Sequence, residues 1–195
     1  MHNDSKVIVG EGLDPPGDFI YEITIAKGNY GEKRGYSMGK EIRKSPRLPN
    51  YNYAIDNYYF VTICTANKEC IFGNPQILNW KGKIVKKHIE SICNHYSGIA
   101  VDKYVVMPNH VHLIIVLGCN PDSSNNTKLD TVIGQLKSGI SKEIHKKEPN
   151  KIIWQRSFHD HIIRNQKAYE KIWLYIDSNP QLWNKDCFFI DDFDL

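Results

Sequence analysis

The feature that most restricts the fold is a pair of apolar runs separated by only two residues. The runs occupy residues 99–107 and 110–117, and Pro108-Asn109 lies between them. Such runs indicate strands, and a two-residue connection between strands favours an antiparallel hairpin. The uncharged stretch 104–117 is shorter than the roughly 20 apolar residues that a membrane-spanning helix requires, so we expect no integral membrane protein.

The patterns around this hairpin predict the order strand, helix, strand, strand, helix, strand, followed by one more helix. β-branched and aromatic residues indicate the first strand, and apolar residues at helical spacing indicate the helices. The last helix must end near Asn179, because Pro180 disfavours helical geometry in the residue before it. The additional segments are a strand at 58–65, helices at 82–97, 130–147 and 166–178, and extended stretches at 152–154 and 159–164.

This order is typical of an α+β protein with a ferredoxin-like split βαβ sandwich, in which one antiparallel sheet carries its helices on one face. Apolar residues form 41% of the 195 residues, which is enough for one domain with a real core. We expect a flexible Gly-rich and basic extension at 1–45, a main domain at 46–185 and an acidic tail at 186–195. The net charge of +3 does not by itself indicate nucleic acid.

Two features bear on the cellular compartment. The N-terminus lacks the basic start, apolar middle and small-residue exit of an export signal, so we expect a cytoplasmic protein. The five cysteines include no C-x-x-C pair, which argues against a disulfide framework and against a cysteine zinc site.

Two histidines alternate within the second strand of the hairpin. Side chains on a strand alternate between its faces, so His110 and His112 point the same way, with their Cα atoms roughly 6.5 to 7 Å apart. Two imidazoles placed in this way can converge on one divalent ion. Val111, Leu113 and Ile115 would then face the helices. By itself the pattern is a weak signal, because an isolated His-x-His is more often two partly exposed histidines that bind nothing.

A second group of polar residues lies near the end of the last helix. Tyr175 and Asn179 are four residues apart and therefore share a helical face. The amide oxygen of an asparagine is a plausible ligand for Mg²⁺ or Mn²⁺, and a phenol is a potential nucleophile. Spacing alone also allows a tyrosine that merely packs in the core, and it does not place this helix over the histidine strand.

The motifs taken together resemble a known family. Residues 106–114, 157–165 and 175–180 match, in order and spacing, the REP-associated tyrosine transposases, which are single-tyrosine HUH endonucleases of the IS200-like superfamily. The opening strand at 59–65, the turn at 71–73 and the stretch 43–53 match as well. The resemblance runs from about residue 43 to residue 184.

The resemblance implies an activity and roles for four residues. Tyr175 corresponds to the catalytic tyrosine, and His110, His112 and Asn179 correspond to ligands of Mg²⁺ or Mn²⁺. The family cuts single-stranded DNA next to imperfect hairpins of the REP type and forms a 5′-phosphotyrosine link, leaving a 3′-hydroxyl that can later rejoin strands. The chain would thus be a transposase acting by transesterification, as a monomer or homodimer, in the cytoplasm with the nucleoid.

Other contacts and other functions stay open. Arg43, Lys44, Arg47 and Arg164 are candidates for DNA phosphate contacts. No general base for the phenol can be named, although 159–161, a His-Asp-His run, lies in a matching motif. Two further hypotheses are a catalytically silent, domesticated protein that only binds DNA hairpins, and an unrelated metal hydrolase or cupin-like site built on His-x-His.

Overall fold

The computed structural model describes residues 57–120 and 127–190, and the elements in this part follow the predicted order. The predicted extension at 1–45 and residues 191–195 of the predicted tail lie outside the described residues. None of the described helices has the length and apolar character needed to span a membrane. The strands are β1 (Asn57–Cys64), β2 (Ile99–Val106), β3 (His110–Leu117) and β4 (His159–Ile163), and the helices are α1 (Trp80–Glu90), α2 (Ile92–His95), α3 (Leu129–Ile144) and α4 (Gln166–Ser178).

The four strands form one sheet in the order β2-β3-β1-β4, and every neighbouring pair is antiparallel. The α+β, ferredoxin-like prediction is therefore confirmed. The predicted hairpin is β2-β3, closed by a hydrogen bond from the Met107 backbone N–H to the His110 carbonyl. The extended stretch 152–154 adds only one isolated bridge, between Trp154 and Thr65.

The predicted helix at 82–97 is divided in two. α1 begins after Asn79, whose side chain accepts hydrogen bonds from the backbone N–H groups of Lys81 and Gly82. It ends at Glu90, and Ser91 separates it from α2. The Ser91 hydroxyl donates to the carbonyl of His88, which offers that carbonyl a partner outside the helical ladder.

The two faces of the sheet have different coverings. Val111, Leu113 and Ile115 are fully buried and belong to the cluster that α1 and α3 build over one face, as predicted. α4 lies across the opposite face, where the ring of Tyr175 is 5.2 Å from that of His112 and 6.2 Å from that of Phe60. The alternation of β3 thus presents apolar side chains to two helices and its histidines to a third.

Two helical glycines allow a matched test of this packing. A Cβ on Gly82 would lie 2.4 Å from the backbone oxygen of Phe72, whereas a Cβ on Gly134 would meet nothing within 4 Å. We expect Gly82→Ala to lower the free energy of unfolding by about 1–3 kcal/mol, because the backbone must shift. Gly134→Ala in α3 should raise it by about 0.5–1 kcal/mol through helix propensity. Urea denaturation of both variants measures this, and a stabilised Gly82→Ala would contradict the packing.

Candidate metal and nucleophile site

His110 is buried, and Asn109 in the turn before it determines which ring nitrogen carries the proton. Its Nδ1 lies 2.8 Å from Oδ1 of Asn109, whose Nδ2 donates to the carbonyls of Lys68 and Phe188. Because the amide oxygen can only accept, Nδ1 of His110 carries the proton. Its Nε2 therefore has a free lone pair, and this buried atom has no hydrogen-bond partner within the described part of the chain.

His112 is held beside it on the same face of β3. The two imidazole centroids are 4.4 Å apart, and the His112 ring stacks on Phe60 at 5.2 Å. Nδ1 of His112 lies 2.8 Å from the hydroxyl of Thr62, the residue paired with it on β1. A hydroxyl can donate or accept, so this contact fixes the orientation of the ring.

α4 brings the two predicted helical residues to the histidines. The Tyr175 hydroxyl is 3.3 Å from Nε2 of His112. Asn179, immediately after the end of α4, is 3% exposed, and its buried Oδ1 has no hydrogen-bond partner among the described residues. All four residues singled out by the sequence thus converge in one place.

Asp186 also lies in this site, and the sequence reasoning missed it. Its Oδ2 accepts hydrogen bonds from the Tyr175 hydroxyl (3.2 Å) and from Nδ2 of Asn179 (2.6 Å), and it is 4.0 Å from Nε2 of His110. One ligand atom each from His110, His112 and Asp186 can be chosen with all three within 4.8 Å of one another. Composition placed Asp186 in an acidic tail, and nothing in the sequence distinguished it from the later aspartates.

The remaining candidates are placed less decisively. Arg43, Lys44 and Arg47 lie outside the described residues. Arg164 is exposed between β4 and α4. In the β1-β4 register His159 and His161 are paired with Thr62 and Phe60, so they share the face of β1 that carries the site. Their neighbour Asp160 lies on the other face.

Burial controls the charge state of the site. It lowers the pKa of His112 to about 4 and holds the pKa of His110 well below its usual range, so both rings are neutral near pH 7. Burial, together with the nearby Asp186 carboxylate, raises the pKa of Tyr175, which therefore remains a phenol. Neutral imidazoles are the form that binds metals.

The donor atoms present fit a hard divalent cation. His110 Nε2 and Asn179 Oδ1 are buried and unpaired within the described part of the chain, which is costly for polar atoms unless a bound group satisfies them. Imidazole nitrogen, amide oxygen and carboxylate oxygen are together compatible with Mg²⁺ or Mn²⁺.

Comparison with known proteins identifies the family. Residues 55–179 match the family model described as transposase IS200 like. The chain belongs to this IS200-like transposase family. The matched segment contains Tyr175, Asn179 and both histidines of the site, and it ends before Asp186. All four residues that the sequence singled out therefore lie inside the part of the chain that matches the family model.

The chain is also similar to individual proteins. An uncharacterized protein of Haemophilus influenzae is 35% identical over 176 residues, which cover 80% of this chain and 98% of the relative. The structure of a REP-associated tyrosine transposase bound to a REP hairpin superposes with a TM-score of 0.53 at 20% identity, covering 69% of this chain and 72% of that one. It shows that the two share a fold. A putative transposase from Deinococcus radiodurans is more distant, with a TM-score of 0.43, 16% identity, and coverage of 68% and 97%.

The depressed pKa of His112 predicts a loss of stability in acid. The unfolded chain binds this proton near pH 6.5, whereas the folded chain binds it only near pH 4. The contribution of His112 to the free energy of unfolding should therefore be constant above pH 6.5 and should fall as the pH drops toward 4, by up to about 1.4 kcal/mol per pH unit. Urea denaturation in the presence of a chelator measures this slope. His112→Gln should make it shallower, and an unchanged slope would refute the assignment.

Proposed function

We propose that this IS200-like transposase is a divalent-metal-dependent endonuclease and strand transferase that acts on single-stranded DNA next to imperfect hairpins. The observation that carries the proposal is the position of the Tyr175 hydroxyl, 3.3 Å from Nε2 of His112 within the site that also holds His110 and Asn179. A phenol beside a ready set of metal ligands is the arrangement that nucleophilic attack on a phosphodiester requires.

The proposed reaction is a transesterification. The phenolic oxygen of Tyr175 attacks a DNA phosphorus and loses its proton, and the bond from phosphorus to the 3′-oxygen breaks. The products are a 5′-phosphotyrosine and a strand that ends in a 3′-hydroxyl, with the proton accounted for on that oxygen. One phosphodiester replaces another, so no external energy source is needed. The reverse attack by a 3′-hydroxyl rejoins strands and frees the tyrosine.

His110, His112 and Asn179 would hold the ion, Mg²⁺ or Mn²⁺. When bound, such an ion polarises the scissile phosphate and neutralises part of the charge that develops in the transition state, a contribution of several kcal/mol. The protein's own part is orientation: Asn109 and Thr62 fix the two imidazoles, and α4 fixes the phenol beside them.

The proposed partner is single-stranded DNA that folds into imperfect, REP-like hairpins. The REP-associated relative with the same fold is bound to a REP hairpin. Arg43, Lys44, Arg47 and Arg164 would neutralise phosphates of this DNA, and the protein would work as a monomer or homodimer in the cytoplasm with the nucleoid.

A denaturing gel tests the chemistry directly. With a labelled single-stranded hairpin and Mn²⁺, we expect a covalent protein-DNA adduct that a chelator or Tyr175→Phe abolishes. Tyr169→Phe is the matched control, because Tyr169 is on the same helix and donates to Asp102. Hairpin binding without an adduct would support the catalytically silent alternative, and cleavage that survives Tyr175→Phe would support a metal hydrolase.

The phosphate contacts predict a salt dependence. Each lost contact to single-stranded DNA should reduce the slope of log affinity against log salt by about 0.7. Combined alanine substitution of Arg43, Lys44 and Arg47 should therefore reduce the slope by about 2, with Arg164→Ala removing a further share. Fluorescence anisotropy at several salt concentrations measures it. Lys83→Ala, on the exposed side of α1, should leave the slope unchanged.

A further inference from the structure

We propose that Asp186 is itself a ligand of the divalent ion, supplied to the site by the segment that follows α4. This inference rests on the proposed metal-dependent function and adds a carboxylate to the ligands that the sequence predicted. Its basis is the position of the Asp186 side chain, its buried charge and the orientation of Asn179.

The position of Asp186 is the first argument. The 3-10 turn Trp183–Lys185 brings the chain back over the site after α4. Oδ2 of Asp186 is 4.0 Å from Nε2 of His110, which has no other partner among the described residues. A free lone pair and a carboxylate oxygen face each other at this distance without a proton between them, because the proton of His110 is on Nδ1.

The charge of Asp186 is the second argument. Its side chain is fully buried, with 0% exposure, and no lysine or arginine in the described ranges forms an ion pair with it. Its hydrogen-bond donors are all neutral: the Tyr175 hydroxyl, the Asn179 amide and the Phe188 backbone N–H. Lys68 instead lies over the ring of Phe188, with Nζ 5.7 Å from its centroid. A buried carboxylate without a cation is unfavourable, and a divalent ion supplies the missing charge.

The orientation of Asn179 is the third argument. Its Nδ2 donates to Asp186 Oδ2 at 2.6 Å, which leaves its buried Oδ1 without a partner among the described residues. The remaining predicted ligands are neutral, whereas Mg²⁺ and Mn²⁺ favour sites that contain carboxylates. Asp186 would therefore provide the negative charge that the two imidazoles and the amide lack.

Ligation by Asp186 would tie the segment after α4 to β3. The Phe188 ring lies 4.6 Å from the ring of His110, and the backbone N–H of Phe188 donates to Oδ1 of Asp186 at 2.7 Å. The backbone carbonyl of Phe188 accepts from Asn109 Nδ2, which belongs to the same amide that orients His110. Asp186 is thus held by contacts that also hold the first histidine, as is expected of residues that serve one ion.

Mn²⁺ binding to the full-length protein without DNA tests the inference. By isothermal titration calorimetry, we expect Asp186→Asn to bind Mn²⁺ at least about tenfold more weakly than the unsubstituted protein. Asp177→Asn is the matched control, because Asp177 is exposed on α4 and pairs with Lys103, and it should bind Mn²⁺ normally. Equal or tighter binding by Asp186→Asn would overturn the inference, tighter binding meaning that the carboxylate competes with the ion.

Thermal melting separates ligation from a role in folding. In chelator, Asp186→Asn should melt no lower than the unsubstituted protein, since it loses a buried charge, and the rise in melting temperature on adding Mn²⁺ should shrink. A lower melting temperature in chelator with an undiminished rise on Mn²⁺ would show a structural residue and contradict the inference. If Asp186→Asn does not fold, Asp186→Glu decides: altered Mn²⁺ affinity supports ligation, and unchanged affinity contradicts it.

The two proposals fail in different ways. Absence of a protein-DNA adduct, with Mn²⁺ binding that depends on Asp186, would remove the proposed transposase chemistry and leave the ligand assignment standing. A normal adduct together with Mn²⁺ binding that is indifferent to Asp186→Asn would remove the ligand assignment alone.

Discussion

The site depends on the antiparallel register between β1 and β3, the two central strands of the sheet. This register pairs Thr62 with His112 and Cys64 with His110, so that the histidines and the residue that orients one of them share a face. A slip of one residue would turn both imidazoles into the apolar layer under α1 and α3. The register is well specified because β3 is buried on both faces, and its odd-numbered residues must face those helices. The hydrophobic core therefore determines where the histidines point.

The hairpin turn before β3 adds a second constraint, which acts on a single proton. Asn109 accepts hydrogen bonds on its carbonyl from the backbone N–H and the hydroxyl of Thr65, which fixes the turn against the end of β1. Its side-chain amide donates to the carbonyls of Lys68 and Phe188 and accepts from Nδ1 of His110. The residue that shapes the connection thus also sets the tautomer of the first histidine.

Periodicity predicted the parts of this structure that are local. The bounds of α4 and β3 and the two-residue hairpin follow from spacing, from Pro180 and from alternation, all of which act within a few residues. Spacing could not show that α4 lies over β3, since that contact is tertiary; the family resemblance supplied the expectation that Tyr175 meets the histidines. Neither the periodicity nor the family resemblance indicated Asp186. Its burial depends on how the chain turns after Pro180, and a run of aspartates near a terminus is ordinarily solvated.

The geometry also gives a physical reason for the cation in the proposed reaction of Tyr175. Burial and the adjacent Asp186 carboxylate both favour the neutral phenol, and the two histidines are themselves neutral. Among the described residues, the side chains of His110, His112, Tyr175, Asn179 and Asp186 carry no positive charge, and Lys68, whose charge is felt at His110, lies over the ring of Phe188. In the proposed reaction, a bound ion would supply the positive charge that these side chains lack. Two imidazoles, an amide oxygen and a carboxylate are suited to a hard divalent ion, and binding one would place positive charge near the phenolic oxygen. The same carboxylate that holds the tyrosine protonated without an ion would, with one, help to retain the charge that activates it.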